Sequence, residues 1–243
     1  MTAPQAVLFD FDGTLWDSET AVFGVFRELF AEHGQELTLQ TWSAAIGTVG
    51  GFDPYAHLTE LVAGLDAAKV RERSERRIRD AVREVPLRPG VDAFLRQLDE
   101  AGVRRALVSS DRSEWLVTNL ERLGWPDGWA AMVCADGDAA RAKPNPHLYE
   151  AALELLDVPA SRTLAIEDSP NGIHAAKAAG LPCLCVPNEA TEQLDLSEAD
   201  LVVPTFEGLH LQDVWTDLRS ARRGAPPPER SITSGRSAPP TDA

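Results

Sequence analysis

Residues 7 to 9 read Val-Leu-Phe and run straight into Asp10-Phe-Asp12-Gly13-Thr14, so an apolar strand ends in two carboxylates one residue apart and then breaks. Side chains alternate along a strand, which predicts that Asp10 and Asp12 point the same way, while Gly13 lets the chain turn sharply. A strand without a polar face fits a parallel sheet covered by helices on both sides. In open sheets of that kind ligands bind beyond the carboxyl ends of the central strands, which makes this stretch the first candidate active site.

Short apolar runs predict strands over 6–12, 105–110, 131–135, 163–168, 182–186 and 200–203. Helical spacing fills the gaps from residue 90 onward. Val91, Phe94, Leu95 and Leu98 form one stripe, and Trp115, Leu116, Leu120 and Leu123, closed by Gly124, form the next. A third helix is expected to open at Asn145-Pro146, with Leu148, Tyr149, Ala152 and Leu155 on its buried face. A fourth runs from Ser169-Pro170 through Ala179 and stops at Gly180. This alternation predicts an α/β fold, a doubly wound parallel sheet.

Between the first two strands lies a long stretch of helical periodicity, which predicts an inserted α-helical cap. The spacing assigns residues 1–14 and 86–218 to the core and 15–85 to the cap. In the cap, Val22, Val25, Phe26, Leu29 and Phe30 form one apolar stripe, and residues 70–85 form a charged helix whose Arg-Glu run reads as a solvated face. Residues 46–53 hold three glycines and read as an irregular loop; with Trp42 and Tyr55 it is a candidate for substrate selection, although such aromatics more often belong to a core. Residues 219–243, rich in Arg, Pro, Ser and Gly, are expected to form a disordered tail.

The formal charge of -15 argues against a nucleic-acid or anionic-membrane partner, whose binding rests on clustered Lys and Arg. A small anionic substrate would need a local positive focus, such as a metal ion or one lysine. Cys134, Cys183 and Cys185 lack metal-ligand or disulfide spacing and read as reduced core residues. No basic leader precedes an apolar segment, and no window offers the ~18 apolar residues of a membrane span. A cytoplasmic, monomeric protein is expected.

Four separated pieces each end a strand or open a helix: Asp10 to Thr14; Val108-Ser109-Ser110; Lys143-Pro144-Asn145-Pro146; and Ile166 to Gly172, where Glu167 and Asp168 meet a helix amino terminus. Their order and content resemble the haloacid dehalogenase superfamily, in its branch with a helical cap after the first motif, over roughly residues 6–205. The resemblance implies that Asp10 is a nucleophile forming an aspartyl-phosphate and that Asp12 is the general acid and base. It implies a magnesium ion held by Asp10, the main-chain carbonyl of Asp12, and Asp168, with Ser109 and Lys143 on the phosphoryl oxygens. Ser110 is a further candidate for the phosphate, and Glu167 is either another metal ligand or an orienting partner for Lys143.

Phosphate monoester hydrolysis needs charge neutralisation, an in-line nucleophile and a proton donor, and this set offers all three. Oxygen donors without a His or Cys cluster suit magnesium. The expected function is a magnesium-dependent phosphatase acting on a small phosphorylated metabolite. Within the same branch, a sugar phosphomutase resembling β-phosphoglucomutase is the alternative, but its usual histidine after the first motif is replaced here by Val22, and the 47–53 loop lacks its arginine, although Arg112 could contact substrate. A dehalogenase would lack Asp12. A phospho-aspartate receiver-like signalling domain is a second alternative, disfavoured by the cap and by Asp12. The histidines, at 33, 57, 147, 174 and 210, are scattered and take no catalytic role.

Overall fold

A computed structural model describes residues 3–43, 46–48 and 52–221. Its sheet has six parallel strands: β1 (Ala6–Phe9), β2 (Arg104–Ser109), β3 (Ala131–Cys134), β4 (Thr163–Glu167), β5 (Cys183–Cys185) and β6 (Leu201–Val202). They lie in the order β3-β2-β1-β4-β5-β6, so the chain reverses direction across the sheet between β1 and β4. Phe9 pairs with Leu107 on one side and Ile166 on the other, which sets Asp10 beside Glu167 at the switch point.

Strand residues alternate between two apolar layers, as a sheet covered on both faces requires. Val7, Phe9, Leu107 and Ile166 pack against Phe94 and Leu98 of α5 (Val91–Glu100), Leu116 and Leu120 of α6 (Ser113–Leu123) and Trp215 of α9 (Leu211–Ala221). Leu8, Ala106, Val108 and Ala165 pack against Leu148, Tyr149 and Ala152 of α7 (His147–Leu156) and Ile173 and Ala176 of α8 (Pro170–Ala178).

The cap comprises α1 (Ser18–Glu32), α2 (Leu39–Trp42), α3 (Pro54–Leu61) and α4 (Ala67–Arg83). Asp17, Asp53 and Asp66 each cap the amino terminus of a helix, satisfying backbone donors that have no partner inside it. Phe26, Phe30, Trp42, Tyr55 and Leu58 give the cap its own core, and Arg77 braces α4 against α1 through Glu28 (2.6 Å) and Glu32 (2.7 Å). The two chain crossings between core and cap lie side by side, with Trp16 bridged to Leu87 and the Arg88 N–H donating to the Leu15 carbonyl (2.9 Å).

Several local expectations shift. Apart from β2, which keeps its length and shifts by one residue, the strands are shorter than the apolar runs that signal them; β1 ends at Phe9, leaving Asp10 and Asp12 in the loop beyond it. Helix α7 begins at His147, with Pro146 at the capping position. Leu155 is 68% exposed and Leu156 is buried, because the face set by Leu148 and Ala152 recurs at the fourth residue, on Leu156. Helix α9 continues to Ala221, so the first three residues of the expected tail are helical, and residues 222–243 lie outside those described. Of the 46–53 loop, residues 49–51 also lie outside the described set. The three cysteines are free and buried. No helix among the described residues is long and apolar enough to cross a membrane.

Candidate active site

The loop after β1 turns at Gly13, whose φ of +83° is a backbone conformation that L side chains rarely adopt. Space demands glycine there as well: a Cβ would sit 2.4 Å from Asp168 Oδ2. The turn is clamped from outside by Arg88, which donates from Nη1 to the carbonyls of Gly13 (2.8 Å) and Val186 (2.7 Å) and from Nη2 to that of Pro187 (2.6 Å). Asn188 donates to the Gly13 carbonyl (3.2 Å) and to Asp168 Oδ2 (2.7 Å), and the Thr14 hydroxyl donates to Asp168 Oδ1 (3.3 Å). Segments beyond β1, β4 and β5 are thereby fixed to one another around Asp168.

Lys143, 1% exposed, reaches across the strand ends to Asp10 Oδ1 (2.5 Å) and Glu167 Oε1 (2.7 Å). Burial works against its ammonium, but the two carboxylates outweigh that and hold its pKa above the ordinary lysine value. Burial pushes Glu167 up to about 7, against the pull of Lys143 and of the Tyr149 hydroxyl, which donates to Oε1 (2.5 Å). Asp168 stands well above the usual carboxylate range through burial and the neighbouring charges of Asp10 and Glu167. Asp10, Glu167 and Asp168 each offer one oxygen to a group whose atoms lie within 4.8 Å of one another. Asp10 Oδ2 and Glu167 Oε2 are buried without a hydrogen-bond partner. An anionic oxygen orphaned among other carboxylates is the donor that a hard cation satisfies, and the all-oxygen set fits magnesium.

Asp12 faces the same cavity with different partners. It accepts from the Ser18 hydroxyl (2.7 Å) and, at both oxygens, from the Trp115 indole N–H (3.1 Å). Loss of solvation, with the charge of Asp111 beside it, raises its pKa well above the usual carboxylate value despite those donors. A carboxyl whose pKa is raised holds its proton more firmly, and the protonated form is the one that can give a proton to a leaving group.

The cavity over these residues has a volume of about 640 Å³ and is walled on the core side by Ser109, Ser110, Asp111 and Trp115. Its cap side carries Glu19, Val22, Trp42, Tyr55 and Arg71. Trp42 and Tyr55 belong at once to the cap core and to this wall. Arg71, from the run read as a solvated face, lies 4.0 Å over the Tyr55 ring and borders the cavity. Glu19 is raised well above its ordinary pKa by burial and then by Asp168 and Asp12.

Of the residues singled out in the sequence, Asp10, Lys143, Glu167 and Asp168 form one buried group, and Asp12, Ser109 and Ser110 line the cavity beside it. The Ser110 hydroxyl is already engaged: it donates to the Gly47 carbonyl in the cap (3.2 Å) and accepts from the Lys143 N–H (3.1 Å). Sequence reasoning missed Trp115, Arg88, Asn188 and Tyr149. Each carries an ordinary core or loop signal, and only the three-dimensional meeting of distant segments gives it a role.

A parallel sheet with carboxylates and one lysine at its switch point, under a helical cap, defines a class of phosphoryl-handling hydrolases. The family model for haloacid dehalogenase-like hydrolases matches residues 4–180, and the chain belongs to that family. The YhcW protein of Bacillus subtilis strain 168 is 37% identical over 217 residues, covering 89% of this chain and 98% of its own. A phosphorylated carbohydrates phosphatase of Thermotoga maritima is 29% identical over 181 residues, covering 73% of this chain and 82% of its own. The structure of CbbY from Rhodobacter sphaeroides in complex with xylulose-(1,5)bisphosphate superposes with a TM-score of 0.65 at 30% identity, over 84% of this chain and 95% of that one. The protein is thus an enzyme of a phosphatase-rich hydrolase family.

Proposed function

We propose that this enzyme hydrolyses a small phosphate monoester of the sugar-phosphate type through an aspartyl-phosphate on Asp10, with magnesium bound. The reading is carried by the two oxygens of Asp10: one is held by Lys143, the other is buried and unpaired, and the residue is grouped with Asp168. Asp10, Asp168 and the carbonyl of Asp12 would hold the ion, which supplies positive charge against the phosphoryl oxygens. Glu167 takes the orienting role, since its Oε1 is committed to Lys143 and Tyr149 and its Oε2 lies against Gly172.

In this mechanism Asp10 attacks phosphorus in line with the departing alkoxide, and the Asp12 carboxyl gives that oxygen its proton. Asp12, now ionised, takes a proton from the water that cleaves the acyl-phosphate, which restores both aspartates. Lys143 and Ser109 hold the phosphoryl oxygens. The cap closes the cavity against competing water during transfer. Val22 borders the cavity where the mutases carry histidine, which favours transfer to water over return to a second hydroxyl. Phosphorylated sugars as substrates draw support from the Thermotoga maritima relative and from the CbbY complex.

A screen of sugar and polyol phosphates with magnesium, scored by released phosphate, tests the reading. Hydrolysis should vanish in Asp10→Asn while the fold persists. Isomerisation of a glucose 1-phosphate without phosphate release would assign the chain to the mutases instead.

A further inference from the structure

Helix α4 carries six arginines, and four of them have acidic partners: Arg71 with Asp53, Arg73 with Glu32, Arg76 with Glu72, and Arg77 with Glu28 and Glu32. The remaining two, Arg79 and Arg83, are exposed and have no carboxylate partner among the described residues. Both border a second cavity of about 420 Å³, which lies between α4 of the cap and α6 of the core.

Arg112 and Arg122 enter that cavity from the core side, and Thr118 and Asn119 complete its polar lining. Arg122 uses Nη1 to donate to the carbonyls of Arg83 (2.9 Å) and Val85 (2.8 Å), at the end of α4, while its guanidinium lies 4.7 Å over the Trp16 ring. Its Nη2 is buried with no partner. Four guanidiniums thus line the cavity with one carboxylate, Glu114, while acids outside the lining act on two of them, Asp111 and Asp136 on Arg112 and Glu84 on Arg122. Guanidiniums crowded on facing elements repel one another, and a bound anion relieves that repulsion.

We propose that this second cavity binds a small free anion bearing phosphoryl groups, apart from the catalytic cavity, and that the bound anion ties the cap to the core. Arginine forks match the oxygens of a phosphoryl group in pairs, and charge-assisted bonds from Arg79 and Arg83 on one side and Arg112 and Arg122 on the other would bridge the two units. A volume of about 420 Å³ suits a small anion. Trp115 forms the partition: it lines both cavities, and its indole N–H holds Asp12. Occupancy of the arginine cavity therefore bears on cap position and on the Asp12 carboxyl together.

The test is calorimetric titration of the full chain with methylenediphosphonate, which cannot be hydrolysed, in low-salt buffer with EDTA. One saturable site is expected, weakened at least about tenfold in Arg79→Gln/Arg83→Gln and in Thr118→Glu, which places an acid in the cavity. Ser109→Ala, altered only in the catalytic cavity, should bind as the wild type does. All three positions on the arginine side are exposed, so circular dichroism should report an unchanged fold. Absence of saturable binding to the wild type would overturn the proposal. So would binding that survives both arginine-side variants, or binding that is lost in Ser109→Ala. These outcomes stand apart from hydrolysis, because no turnover is measured.

Discussion

Replacing Gly172 by alanine separates two opposite expectations for one methyl group. Gly172 lies in the first turn of α8, where alanine ordinarily stabilises a helix by up to about 1 kcal/mol. Here the added Cβ would stand 1.9 Å from Glu167 Oε2, 2.1 Å from its Cδ and 2.3 Å from Oε1, distances no packed atoms hold. Glu167 is fully buried and cannot swing away without releasing Lys143 and Tyr149. Overpacking of this kind costs about 1–3 kcal/mol, and dislodging a buried ionic partner costs about 3–5 kcal/mol. These are alternative responses, so after a helix gain of about 1 kcal/mol the net destabilisation is about 0–2 kcal/mol if the surroundings give way and about 2–4 kcal/mol if Glu167 is dislodged, the second with loss of turnover because Lys143 no longer sits correctly on Asp10. Urea unfolding at constant m gives the stability change. In a Glu167→Ala background the obstruction is gone, so alanine at 172 should cost nothing further and recover part of the helix gain. A higher urea midpoint for Gly172→Ala in the wild-type background would refute the claim that Glu167 is immovably packed against α8.

Trp115→Phe keeps an aromatic ring and removes the indole donor to Asp12; a bond to a charged acceptor is worth about 1.5–3 kcal/mol, so kcat should fall about ten- to a hundredfold with KM little changed. The loss should be greater for an alkyl phosphate than for p-nitrophenyl phosphate, whose leaving group needs less protonation; an equal loss on both would detach Trp115 from the acid step. The metal-free protein should become less stable as pH rises from about 4.5 through about 7, since the Glu167, Asp168 and Asp12 carboxyls stand above their unfolded values and the folded chain binds their protons more tightly. Magnesium opposes the same repulsion, so its increase in Tm should be larger near pH 8 than near pH 5, as scanning calorimetry with and without EDTA would report. Arg88→Lys should weaken activity and lower Tm together, because an ammonium cannot span the three carbonyls of Gly13, Val186 and Pro187 that the guanidinium now joins.

The parts of this molecule legible in the sequence are those whose physics is local. A run apolar on both faces gives a central parallel strand whatever surrounds it, and Gly13 marks a turn because its backbone demands it. The cap emerged from periodicity, since Val25, Phe26, Leu29 and Phe30 recur at helical spacing and are buried together. What escaped depends on segments far apart in the chain. Trp115 shares a helical stripe with Leu116 and Leu120, and nothing in that spacing says that its ring lies toward Trp16 and its N–H on Asp12, 103 residues away. Arg88 reads as part of a proline turn, yet it fixes the loop beyond β1 to the one beyond β5. Arg79 and Arg83 sit in the same Arg-Glu run as Arg77, and composition alone gives them the same solvated role. Only the fold shows that α1 supplies acids for Arg77, whereas α6 and the capping residue before it meet Arg79 and Arg83 with two further arginines. A charged run therefore has to be read pair by pair against whatever packs on it, and the charges left unmatched after that pairing are the ones that point to a ligand.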